Sequence, residues 1–190
     1  MPFSSVASNA AVSPSPTAVL NAAASPSPAA SPNAAASLSA LAEFDFPTAL
    51  VVSQGDQVLA QGGQVESDFA FASVTKPLVA WSAAVACERA LLDLDALVGP
   101  HLPGATVRHL LAHASGVAPN DDSVLAAPGT KRIYSNRGIE LLGQVLEQAT
   151  GYQLDQWVEL SVLEPLGLAS ILIPGSPAYS GVGNAVDLAA

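Results

Sequence analysis

The sequence is short of positive charge. Six Lys and Arg stand against 16 Asp and Glu over 190 residues, a formal net charge of −10. A nucleic-acid-binding face needs clustered cations to displace counterions from phosphates, so nucleic acid is excluded as a partner. A single cysteine excludes a disulfide framework and a Cys-based zinc site. No run approaches the ~18 apolar residues of a membrane helix, so no membrane span is expected. Aromatic residues make up 5% of the chain, and alanine inflates its 50% hydrophobic fraction. The length allows one domain of ordinary size.

Charge is also missing from the start of the chain. No charged side chain precedes Glu43, and 29 of the first 40 residues are Ala, Ser or Pro. Such a segment buries too little to offset its ordering entropy. Residues 1–44 are therefore expected to be a disordered Ala/Ser/Pro-rich segment, and residues 45–190 the folded domain. The segment has no basic n-region and no unbroken apolar core of a secretory signal, so a cytoplasmic location is expected.

Within the domain, Ala49–Ser53 and Gln57–Gly62 are apolar-rich runs around Gln54-Gly55-Asp56, the pattern of a β-hairpin. The chain is expected to turn helical at Ser73 and stay so to about Leu92. Pro77 is tolerated in that first turn, where N–H groups lack partners anyway. Residues 98–165 read as a helical insert. Thr106 caps a helix over Val107–Ala114 that Gly116 stops. Ile139, Leu142, Val145, Leu146 and Ala149 form one face of a helix over Arg137–Thr150, with Gly151 as its terminator. Tyr152–Leu163 is a further helix, stopped by Pro165. Ser170–Ile173 is extended, Gly175–Asn184 is loop, and Asp187–Ala190 opens a helix. Trp81 and Trp157 stand at helical spacing with apolar neighbours, and Cys87 lies in an apolar Ala/Val stretch, so all three read as core.

Two short motifs carry chemistry. In Ser73-Val74-Thr75-Lys76 a spacing of three places both side chains on one helical face, ~5–6 Å apart at Cβ. A serine hydroxyl needs a neighbouring base to become a nucleophile. A lysine can be that base where burial or positive charge disfavours its ammonium form. A helix N-terminus adds a dipole opposing a protonated amine and N–H groups that can face an oxyanion. The second motif is Tyr134-Ser135-Asn136, in which Asn136 is placed to cap the following helix. Alone, the first motif also fits a capping serine beside a surface lysine. By composition each motif arises by chance about once in five to ten such chains, so it is their coincidence that carries weight.

Together the motifs resemble the serine β-lactamase and penicillin-binding-protein superfamily, in its branch of class C β-lactamases, D-alanyl-D-alanine carboxypeptidases and related esterases. Phe71–Lys76 is similar to the family's phrase around its nucleophile. Val107–Gly116, ending Leu111-Ala112-His113-Ala114-Ser115-Gly116, resembles its "LLTHTSG" segment. Pro128-Gly129-Thr130, Ala149-Thr150-Gly151 and Leu163-Glu164-Pro165-Leu166-Gly167-Leu168 match further stretches. The resemblance covers about residues 46–190. It implies an α/β (α+β) fold, an antiparallel sheet flanked by helices with an all-helical insert. It implies Ser73 as the acylated nucleophile, Lys76 and Tyr134 sharing proton transfer in either order, and Asn136 holding Lys76 and substrate. The Ser73 N–H would be half of the oxyanion hole. Substrates would be a short-chain ester, a β-lactam or a D-Ala-D-Ala-like peptide, with no cofactor and no metal. The family's third motif, Lys/His-x-Gly on an inner strand, is absent after Tyr134, as are the last strands and C-terminal helix. A truncated hydrolase of weak or no activity is therefore expected, with a non-catalytic binding module as the alternative.

Other candidates read as structural. His109 and His113 have the spacing of a helical zinc pair, but Leu110 stands where a metalloprotease has Glu, and no carboxylate cluster is near. Glu164 lacks the Asn that follows a class A deacylating glutamate. Asp121 and Asp122 read as a solvated turn.

Overall fold

A computed structural model describes residues 38–190 of the chain. Residues 1–37, most of the segment expected to be disordered, lie outside the described residues. A short 3₁₀ turn, Ala40–Glu43, precedes the first strand.

β1 (Ala49–Gln54) and β2 (Gln57–Gly63) form the expected antiparallel hairpin, with Val51 opposite Gln61 and a register shift at Val52/Ser53. Gly55 turns it with φ of 56°, a left-handed conformation that glycine adopts without steric cost. A second small sheet pairs β3 (Phe69–Ala70) with β4 (Val182–Gly183), antiparallel. Leu172 bridges Val182 from the opposite edge. The stretch read as loop over 175–184 thus contains a strand, and this corrects the sequence reading. Isolated glycines and a lone Val give a two-residue strand no alternating pattern to read.

The helices follow in order. A 3₁₀ turn, Ala72–Val74, leads into α1 (Thr75–Glu88). α1 is shorter than expected. The N–H groups of Leu91 and Leu92 turn back to the Ala86 carbonyl, and Ala90 takes a left-handed φ of 55°. α2 (Val107–Leu111) begins at Thr106, whose N–H donates to His109 Nδ1 at 3.1 Å. It ends before Gly116 because His113 turns the chain first, with φ of 55°. α3 (Asn136–Thr150) closes at Gly151, φ 78°, as read. α4 (Leu154–Val158) continues through a π-helical turn, Glu159–Leu163, into α5 (Glu164–Leu166). Pro165 therefore does not stop the run. It is the second residue of α5, directly after the π-helical turn, and left-handed Gly167 ends the run. α6 (Ala185–Leu188) is capped by the Asn184 side chain.

The core lies between α1 and the helical insert. Val79, Ala83 and Ala86 of α1 pack with Val107 and Leu110 of α2, Leu142 and Leu146 of α3, and Trp157, Val158 and Val162. Trp157 is 2% exposed and donates its indole N–H to the Ser82 carbonyl at 3.1 Å, fixing α1 against α4. Trp81, by contrast, is 52% exposed. Its helical spacing was read as core, but it lies on an outward stripe that runs from exposed Val74, before α1, through exposed Pro77. Cys87 packs partly buried against the core, and burial raises its thiol pKa above the ordinary value.

Leu142 is fully buried at the centre of this contact between helices. Leu142→Ala is expected to lower unfolding free energy by about 2–5 kcal/mol, the cost of a core Leu truncation. Urea denaturation followed by tryptophan fluorescence measures it, and a change below about 0.5 kcal/mol would contradict this placement of the core.

Candidate active site

The turn before α1 is built to present Ser73. Phe71 is buried, and its N–H donates to the Gly181 carbonyl at 2.8 Å. Thr75 is also buried. Its hydroxyl donates to the Ala72 carbonyl at 2.7 Å and accepts the Gly181 N–H at 2.8 Å. A side chain at Gly181 would place Cβ 2.6 Å from Thr75 Oγ1 and 3.2 Å from the Phe71 ring, so only glycine permits this approach. Between these anchors Ala72 takes φ of 47°. A left-handed alanine costs about 1–2 kcal/mol, and the anchored flanks hold it there. Ser73 follows, exposed to solvent.

Lys76 lies one turn on and is 7% exposed. Its Nζ contacts Ser73 Oγ at 3.0 Å, Asn136 Oδ1 at 2.8 Å and the Ala178 carbonyl at 2.7 Å. Three acceptors match the three hydrogens of an ammonium. A neutral amine fits the same geometry. Two hydrogens then stay on Asn136 and Ala178, and the lone pair faces Ser73 Oγ, which donates. A proton can cross the 3.0 Å contact while the other two bonds stay in place.

Asn136 is available for this because it does not cap α3. The sequence reading gave it the cap, but Ser135 fills that place. Its Oγ accepts the Gly138 N–H at 2.8 Å and donates to the Ala118 carbonyl at 2.7 Å. Both residue types cap well, so composition does not separate them. Asn136 Nδ2 donates to Asn120 Oδ1 at 2.9 Å, which turns its oxygen toward Lys76.

Tyr134 is 47% exposed, and Lys76 Nζ lies 4.7 Å from its ring centroid. The polar groups of Lys76, first, and then of Ser73 hold the phenol below its ordinary value of 10.0. The structure thus brings Ser73, Lys76, Tyr134 and Asn136 together from two segments far apart in sequence.

Three contributors escaped the sequence reading. Ala178 acts through its carbonyl, which leaves no trace in composition. Its loop is held by Ser176, whose hydroxyl donates to Glu140 Oε1 at 2.9 Å, and Glu140 in turn faces Arg137. Asn120 acts through its amide, and its only signal is a polar residue after Pro119. His113 packs its ring on Tyr134, centroids 4.6 Å apart. His109 and His113 do not converge as a metal pair. Each uses Nδ1 locally, on Thr106 and on the Ser135 N–H. Among the described residues no group of three His, Cys, Asp or Glu could hold a metal ion, and no helix is long and apolar enough to cross a membrane. Asp122 pairs with Arg137 at 2.6 Å, and Asp121 accepts the Ser123 N–H, as a turn does.

A family model described as Beta-lactamase matches residues 24–179. The chain belongs to the β-lactamase family. This family member is 41% identical to a β-lactamase from Mycobacterium bovis, with a TM-score of 0.75, over 80% of its own length and 57% of that chain. It is 28% identical over 136 residues to penicillin-binding protein 4* of Bacillus subtilis (strain 168), 55% of this chain and 30% of that protein. It shares its fold with a D-stereospecific amidohydrolase from Streptomyces sp., at 19% identity and a TM-score of 0.65, over 79% of this chain and 68% of that one. This β-lactamase-family chain therefore spans just over half of the Mycobacterium protein and under a third of the Bacillus one.

The Tyr134 environment has a titration consequence. A phenol with a lowered pKa becomes phenolate as pH rises through that value, so Tyr134 ionises before an ordinary tyrosine does. Near-ultraviolet tyrosinate absorbance, taken as the difference from Tyr134→Phe, is expected to have its midpoint below 10.0. Lys76→Met should move it upward, because the leading cause is removed. A midpoint that Lys76→Met leaves in place would contradict the assignment.

Proposed function

We propose that Ser73 is the nucleophile of a serine hydrolase that cleaves an ester or amide through an acyl-enzyme. The observation that carries this reading is the buried Lys76 Nζ, 3.0 Å from Ser73 Oγ and 2.8 Å from Asn136 Oδ1. Lys76 or Tyr134 takes the hydroxyl proton as Oγ attacks the carbonyl carbon. The Ser73 N–H, at a helix start where amides lack intrahelical partners, faces the developing oxyanion. As the carbon–oxygen or carbon–nitrogen bond breaks, Tyr134 or Lys76 returns a proton to the leaving group. Water, deprotonated by the same pair, then releases the acyl group. Asn136 holds Lys76 in place and offers its amide to the acyl side of the substrate. Short-chain esters are the proposed substrates, with β-lactams and D-Ala-D-Ala-like peptides as the other members of the class.

Covalent labelling tests this. The purified chain is treated with a fluorophosphonate and, separately, with a fluorescent penicillin, and adducts are located by intact mass and peptide mapping. One adduct on Ser73 is expected, lost in Ser73→Ala and slowed about 10²–10⁴-fold in Lys76→Ala, the size of a general-base contribution. Reaction with the phosphonate alone favours esters, and reaction with penicillin favours β-lactams and peptides. A folded chain with no adduct at Ser73 would overturn the proposal in favour of a non-catalytic binding module.

A further inference from the structure

The Tyr134 segment is gripped by one residue at three points. His113 accepts the Ile133 N–H on its backbone carbonyl at 2.7 Å. Its Nδ1 accepts the Ser135 N–H at 3.2 Å. Its ring lies against the Tyr134 ring, centroids 4.6 Å apart and planes inclined by 43°. The residues on either side of Tyr134 and Tyr134 itself therefore all meet a single side chain and its own carbonyl. This requires the left-handed φ of 55° at His113. That backbone state turns the residue out of the helical line of α2 and toward the 133–135 segment.

We propose that His113 is a positioning residue for Tyr134, setting the phenol over Lys76 and Ser73. The inference rests on the reading of Tyr134 as a proton-transfer group. An exposed tyrosine on an irregular segment has two free side-chain torsions and a backbone with few ladder bonds. Proton transfer, however, needs its oxygen within hydrogen-bond reach of the reacting atoms. His113 supplies the constraint from behind. Accepting at Nδ1 requires the neutral ring with its hydrogen on Nε2. The groups that face it agree with that form. Burial first, then Arg132 and Lys76, hold the imidazole below its ordinary 6.5, and the third neighbour, Tyr134, presents an aromatic face. A protonated ring would set a second N–H against the Ser135 N–H.

Two substitutions separate the parts. His113→Gly accepts φ of 55° without strain and removes both acceptor and ring. His113→Asn also tolerates that φ, keeps an acceptor near the Nδ1 position and removes the ring. Amide hydrogen exchange reads the grip directly. Ser135 protection should fall in His113→Gly and persist in His113→Asn, while Ile133, bound to the residue-113 carbonyl, stays protected in both. Acylation of Ser73 by a fluorophosphonate reads the consequence. A rate loss of about 10- to 100-fold is expected in His113→Gly, the scale of a misplaced catalytic group, with recovery to within about three-fold in His113→Asn. Retained Ser135 protection in His113→Gly would overturn the proposal, as would an undiminished acylation rate in a variant whose Ser135 protection is lost. Tyr134→Phe runs alongside. Should it acylate at the parent rate, the proton-transfer reading of Tyr134 fails, whereas the exchange data still decide whether His113 holds the segment.

Discussion

The arrangement depends on one buried lysine amine. Lys76 is 7% exposed, and its Nζ meets Ser73, Asn136 and Ala178 within 3.0 Å. A buried amine without partners is strongly unfavourable, so each partner must be delivered accurately. The partners come from three parts of the chain: the turn before α1, the first residue of α3, and the loop before β4. The same contacts that satisfy the nitrogen thus dock those three segments on one another. Stability and chemistry are coupled at this atom. Removing the lysine would leave an amide oxygen, a carbonyl and the Ser73 hydroxyl facing an emptied space.

Each segment has a support behind it. Thr75 and Gly181 hold the strained Ala72 and so aim Ser73. Ser135 caps α3, and Asn120 fixes the amide of Asn136. Ser176 and Glu140 brace the loop that carries Ala178. His113 braces Tyr134 from the far side. Among the described residues, none of these supporting side chains hydrogen-bonds the Ser73 hydroxyl, which meets Lys76. They set the geometry in which a 3.0 Å contact can carry a proton. Beyond them, the buried faces of α1 and α3, with Trp157 bonded to the Ser82 carbonyl, keep the two motif-bearing helices in register.

Much of this was legible in the sequence because local physics writes it there. The hairpin shows in its flanking apolar runs and Gly55, and α3 in the spacing of Ile139, Leu142 and Leu146 before Gly151. Ser73 and Lys76 are on one face because they are three apart on a helix. Tyr134 and Asn136 were legible as a motif, but not their meeting with Lys76, which is a fact of tertiary packing. What stayed hidden has common causes. The Ala178 carbonyl is backbone, identical at every position. His113 was masked by its helical spacing from His109, which assumes a helix that in fact ends at Leu111. Trp81 was placed in the core because spacing reports which residues share a face of α1, not whether that face is covered. Ser135 and Asn136 are equally good caps, and only the geometry of the Lys76 site assigns one to each task.

The central claim is that Lys76 and Asn136 act as one unit on Ser73. A double-mutant cycle on the rate of Ser73 acylation, with Lys76→Ala, Asn136→Ala and the pair, measures that coupling. The account predicts strong non-additivity: once Lys76 is gone, removing Asn136 costs little more. Losses that multiply independently would contradict it, and would leave the two residues as neighbours without a shared role.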